Sequence, residues 1–211
     1  MIQFIIILFG LTMLYVSVTT RIESYVKAIA AQGVILFLLV LFDYGTTNLP
    51  NLIFLSFETL VVKAIAIPIF LMYVIRKNGI YREIDPYVTN HSSLAITTAI
   101  FAAGFYIAYW SAGTVSNIRP FYFGISISTI VTGLFIIISR KKIITHVMGY
   151  MMLENGIFLL ALSIAREMPF IVAMGVLLDI FIAVYLLGLF INKVQDSYSD
   201  THINTLAKLK D

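Results

Sequence analysis

Two carboxylates stand where a membrane helix offers little water. Glu154 lies at the centre of "GYMMLENGIFLLALS" (149–163), and Asp179 lies within "VAMGVLLDIFIAVYLLGLF" (172–190). A charge at the middle of a membrane helix costs about 2.5–3.5 kcal/mol on insertion scales, so its presence asks for a reason. The turn between the two segments centres near Glu167, 13 residues after Glu154 and 12 before Asp179. At about 1.5 Å rise per residue, an antiparallel hairpin holds both carboxylates at one depth. Gly175 and Ala183 flank Asp179 at i−4 and i+4. That small-residue seam admits a close neighbour and turns Asp179 towards protein, away from lipid.

Three more ionisable residues fall in apolar segments: Lys63 and Glu58 in "FETLVVKAIAIPIFLMYVI" (57–75), and Lys27 in the segment before it. Burial makes a carboxylate hold its proton tightly, and a nearby ammonium loosens that hold. A lysine that moves relative to a carboxylate therefore switches proton affinity, which is what a proton relay requires. The competing reading is that these groups only hydrogen-bond neighbouring helices and set packing. Glu58 stands closer to the outer end of its segment, where a rim position is the alternative. Lys27 is near a segment end and can snorkel to the interface. His146, four residues before Tyr150, is a candidate for proton uptake or for an interface anchor.

Other chemistries find no footing. There is no cysteine, hence no disulfide framework, thiolate metal site or iron–sulfur cluster. His91 and His202 are too scattered for a metal site, and no phosphate loop or nucleophile elbow is present. Lys63 invites comparison with a retinal Schiff base, but that family's lysine is in its last span, where this chain has Asp179. Trp110 and "PFYF" (120–123) read as interface aromatics.

The elements that must position these groups are membrane helices. Of 211 residues, 60% are hydrophobic and 12% charged, with mean hydropathy +0.97. Soluble domains are nearer half apolar and a quarter charged. With about 20 apolar residues needed to cross the hydrocarbon core, seven spans are expected: 2–19, 25–43, 51–75, 93–113, 120–139, 144–165 and 170–192. The first has no basic leader and no small-residue cleavage site after it, and reads as a retained helix. Pro68 is expected to kink the third span. "RKNGIYREIDPYVTNHSS" is expected to run along the membrane surface as an amphipathic piece.

Basic residues sort by side. Arg21, Arg76, Lys77, Arg82, Arg140, Lys141, Lys142, Lys193, Lys208 and Lys210 fall in alternate connections and the tail, against Arg119 and Arg166 opposite. The positive-inside rule puts the N-terminus outside and the C-terminus in the cytoplasm. The net charge of +3 is thus a topology signal and not a nucleic-acid footprint.

Two triplets of spans resemble each other. "TRIESYVKAIAAQGVILFLLVLF" matches "SRKKIITHVMGYMMLENGIFLLAL", with Gln32-Gly33 where the second copy has Asn155-Gly156. Matched span by span, Ala31 falls on Glu154 and Lys63 on Asp179. One extra span separates the triplets, so the duplication is parallel. The expected architecture is all-α: 1–78 a first three-helix unit, 79–118 a surface segment and linking helix, 119–193 a second three-helix unit, and 194–211 a tail.

The stretch "IVTGLFIIISRKKIITHVMGYMMLENGIFLLAL" with "VLLDIFIAVYLLGLF" resembles the small three-helix K subunit of respiratory complex I and its counterpart in multisubunit Na+/H+ antiporters. Glu154 falls on the acidic position of that family's second helix, and Asp179 on that of its third, with aspartate for the usual glutamate. The length, "LLDI…AV" and the closing "DSYSDTHINTLAKLKD" more closely resemble component E of hydrogenase-4 and formate hydrogenlyase-type complexes. The resemblance covers mainly 120–211. It implies a non-catalytic subunit of a redox-driven ion-translocating complex in a prokaryotic cell membrane, with Glu154, Asp179, Lys63 and Glu58 on a proton pathway. It also implies that this chain holds no cofactor. Iron–sulfur clusters and a nickel–iron site would lie on partners, which would include antiporter-like and complex I-like membrane subunits and a peripheral redox arm. A Na+/H+ antiporter subunit and a passive scaffold are the alternatives.

Overall fold

The computed structural model describes residues 2–44, 49–79, 81–83, 86–112, 119–164 and Gly175. The chain divides into two compact units, Met1–Val172 and Ala173–Asp211. Asp179, the expected seventh span and the tail lie outside the described residues.

Six continuous helices make up the described part of the first unit. They are α1 (Ile2–Val18), α2 (Ile22–Tyr44), a composite of α3 (Leu49–Phe57), a π-helical segment (Glu58–Ala66) and α4 (Ile67–Asn78), then α5 (Asn90–Ala112), α6 (Pro120–Ser139) and α7 (Ile143–Ile164). All but α1 are long and apolar enough to cross a membrane. These six match the expected spans to within a few residues at each end, because long apolar runs between polar turns leave little choice of boundary.

Helix ends follow local chemistry. Pro120 opens α6 in its first turn, where its missing N–H costs nothing. Gly79 closes α4 in a left-handed conformation (φ 64°), its N–H directed to the carbonyls of Arg76 and Ile75. Pro68 sits in the first turn of α4, directly after the π-helical segment. The Ile67 N–H bonds the carbonyl of Val62, five residues back. A proline cannot donate to the carbonyl four residues earlier, and the wider winding ahead of it absorbs that gap.

α6 and α7 form the most extensive pairing, and α2 is the hub: it packs on α1, α3, the π-helical segment, α4 and α7. α2 and α7 are the most enclosed of the spanning helices and α5 the least. Phe4, Ile53, Ile69, Tyr106, Tyr109, Trp110 and Ile138 project from the bundle. That outward apolar surface suits lipid or other apolar helices.

The long connection after α4 forms no surface helix in its described residues. Arg82 pairs with Arg21 as an antiparallel bridge, with Ile22 N donating to Tyr81 O at 3.1 Å and Glu83 N to Thr20 O at 2.9 Å. Further on, Tyr87 N donates to Ser139 O at 3.0 Å. The connection is thereby tied to the α1–α2 turn and to the end of α6. In its described residues the connection is held instead by backbone pairing, because two neighbouring turns offer unsatisfied carbonyls and amides.

Candidate functional site

Glu58 and Lys63 come together on the π-helical segment, which packs against α2 and whose Lys63 reaches a ring of α7. Lys63 Nζ lies 3.3 Å from Glu58 Oε1, and the two residues are only 3% and 2% exposed. Glu58 is therefore enclosed by neighbouring side chains. The pairing depends on the winding of its helix. On an α-helix, side chains three or four apart meet, whereas residues five apart diverge. In a π-helix the backbone bonds reach five residues, and the wider turn brings side chains five apart round towards the same side of the helix. Glu58 and Lys63 have that spacing and lie within the π-helical segment.

Lys63 also faces α7. Its ammonium is 5.1 Å from the centre of the Phe158 ring, a cation–π contact. Phe158 is four residues after Glu154, so the two share a face of α7 one turn apart. Glu154 is itself buried, at 3% exposure. By helix rise, Glu154 lies about 16 Å from the start of α7 and Lys63 about 22 Å from the end of α4, both near mid-helix.

Beside these charges runs a line of amides. Asn155 Nδ2 donates to Gln32 Oε1 at 3.0 Å. Gln32 Nε2 in turn contacts Thr12 Oγ1 at 2.8 Å and Met13 Sδ at 2.8 Å. Both amides are buried, and their mutual bond avoids the cost of desolvated polar groups. Gln32 and Asn155 are the residues that mark corresponding positions in the two sequence triplets, and they touch. Their role in the site could not be read from spacing; their correspondence could.

Next to Gln32, Gly33 lets α2 approach the π-helical segment backbone to backbone. A Cβ at Gly33 would lie 2.7 Å from Ala64 N and 2.9 Å from the Lys63 carbonyl carbon. The contact that seats Lys63 thus needs glycine on α2.

Lys27 is exposed on α2, and His146 is half-buried, with Nε2 2.7 Å from the carbonyl oxygen of Arg140. Neither joins the Glu58–Lys63 group. Lys27 keeps the exposure an interface anchor needs, and His146 belongs to a second cluster that sequence reasoning did not single out. There, Arg140 is 1% exposed; its guanidinium donates to Ser17 O at 3.0 Å and to Asn90 Oδ1 at 3.3 Å. Glu83 Oε1 accepts from the backbone of Lys141 at 2.9 Å and of Lys142 at 3.3 Å. Its Oε2 accepts from the Thr145 hydroxyl at 2.6 Å. A carboxylate from a distant connection therefore caps the N-terminus of α7, where helix dipole and free N–H groups favour negative charge. Lys142 Nζ also reaches the carbonyl of Arg82. Nothing in the sequence marks Glu83 out from other surface-type glutamates.

Among the described residues, no three His, Asp or Glu side chains gather as a metal site. The central group comprises a buried carboxylate–ammonium pair on the π-helical segment, and on α7 a second buried carboxylate next to a hydrogen-bonded pair of amides.

No family model matches the chain, and no solved structure matches it. A protein of Mycobacterium tuberculosis, Rv0085, is 26% identical over 212 residues, covering 96% of this chain and 93% of its own length. Hydrogenase-4 component E of Escherichia coli K12 is 22% identical over 163 residues, covering 76% of this chain and 74% of its own. The component E of Shigella flexneri matches to the same extent. The chain is thus a distant relative of hydrogenase-4 component E.

Proposed function

We propose that the chain is a membrane subunit of a redox-driven, ion-translocating complex of hydrogenase-4 type, and that Glu58, Lys63 and Glu154, with Asp179, belong to its proton pathway. The observation that carries this reading is the Glu58–Lys63 pair, 3.3 Å apart and buried on the side of the π-helical segment that meets α7. Similarity to hydrogenase-4 component E supports the kind of complex.

In this mechanism a proton arriving on Glu154 is held while Lys63 stays with Glu58. When Lys63 moves towards α7, it favours the ionised form of Glu154 and the proton passes on. Redox centres, iron–sulfur and nickel–iron, reside on partner subunits, and this chain contributes polar groups and no catalysis. Partners are other membrane subunits and a peripheral redox arm. The two triplets are parallel repeats within the boundaries 1–78 and 119–193, a reading supported by the contact between Gln32 and Asn155. The N-terminus faces outward and the C-terminus the cytoplasm, on the distribution of basic residues.

The test is an assembled complex carrying Glu154→Gln with Asp179→Asn. It should assemble and transfer electrons yet lose coupling to ion movement. Pumping at wild-type stoichiometry overturns the pathway. Co-purifying subunits separate the readings further: nickel and iron–sulfur proteins support it, and membrane subunits alone favour a Na+/H+ antiporter assembly driven by an existing gradient. A passive scaffold predicts lost assembly with coupling per complex unchanged.

A further inference from the structure

The outward face of α4 carries a groove that the proton pathway does not use. Ile69, Met72, Tyr73, Arg76 and Lys77 line it, and it is open to the outside, with a volume of about 600 Å³. These positions recur at three- and four-residue intervals, so they form one face of the helix. Ile69 and Tyr73 are 64% and 60% exposed, and Arg76 and Lys77 are exposed in the last turn.

The groove is graded along its length. Its floor of Ile69, Met72 and the Tyr73 ring belongs to the apolar span Leu52–Lys77. Its upper end holds two cations at the end of the bundle where Arg21, Arg82, Lys141 and Lys142 also gather. Lys77 Nζ sits 5.8 Å from the centre of the Tyr73 ring, which holds the ammonium over the groove. Neither Arg76 nor Lys77 forms an ion pair with a described residue. Two cations with no counter-charge among the described residues, directly above an apolar trough, match a molecule with an anionic head and a hydrocarbon tail.

We propose that this groove is a binding site for an anionic phospholipid, its phosphate held between Arg76 and Lys77 and one acyl chain lying over Ile69 and Met72. Arg76 supplies bidentate geometry and Lys77 a point charge. The apolar floor selects a lipid over free phosphate, since inorganic phosphate gains nothing from Ile69. The cations make the headgroup charge, and not the bilayer alone, the basis of selection.

The experiment uses the full chain in nanodiscs of phosphatidylcholine with a minor fraction of labelled phosphatidylglycerol. Lipid retained after gentle detergent extraction is counted by native mass spectrometry. Wild type should retain phosphatidylglycerol in preference to phosphatidylcholine. Arg76→Gln with Lys77→Gln should lower retention roughly tenfold or more, on the scale of one favourable interaction per cation. Ile69→Trp fills the floor at an exposed position and should also lower retention, with both cations intact. Lys27→Gln with Arg82→Gln removes two exposed charges away from the groove and should leave retention near wild type. Equal losses in the two charge-removal pairs would mean a diffuse surface effect and overturn the site. Binding unaffected by Ile69→Trp would mean headgroup or phosphate capture alone and overturn the lipid assignment. Equal retention of both lipids, or displacement of lipid by a co-purifying membrane subunit seated on α4, overturns it as well.

Discussion

Replacing Lys63 by methionine keeps a long side chain, removes the ammonium, and leaves the Glu58 carboxylate in a site 2% exposed. At 3.3 Å and an effective dielectric constant of about 20, the two charges attract by about 5 kcal/mol. Desolvation offsets much of this in the intact pair. It does not vanish when one partner goes, so removing one member of a buried pair costs about 3–5 kcal/mol. Removing both, as Lys63→Met with Glu58→Gln, should recover most of the loss. Unfolding of the purified chain in mixed detergent, across wild type, both singles and the double, measures this coupling. The double variant should lie closer to wild type than either single does. Additive single and double effects would refute the pairing.

Two other expectations rest on close contacts. Gly33→Ala puts a Cβ 2.7 Å from Ala64 N and 2.8 Å from Ala64 Cα, where neither backbone atom can rotate away. It should cost about 1–3 kcal/mol, a fall in melting temperature of roughly 3–10 °C; an unchanged melting temperature would mean that α2 and the π-helical segment are not in contact there. Glu83→Ala removes all three acceptor contacts at the start of α7 and should destabilise by about 2–3 kcal/mol. Faster hydrogen exchange at Thr145 and His146 and faster proteolysis in 79–89 would register it, and wild-type exchange rates would sink the capping role.

Hydropathy and charge are properties of neighbouring residues along the chain, which is why composition alone made six helices legible to within a few residues. The intramembrane carboxylates and Lys63 were legible for the same reason: an ionisable residue inside an apolar run stands out without any knowledge of its neighbours. Gln32 and Asn155 were visible as echoes of each other. The fold determined what these residues meet. The Glu58–Lys63 pair needs a backbone wound to five-residue bonds, and five-residue spacing carries no signal in a sequence read as α-helix. The Asn155–Gln32 bond joins residues 123 positions apart. Glu83 becomes a cap only because the connection after α4 is bonded back to the α1–α2 turn, beside the start of α7. Partners of this kind are selected by helix packing, and no local pattern in the chain records which helix will lie against which.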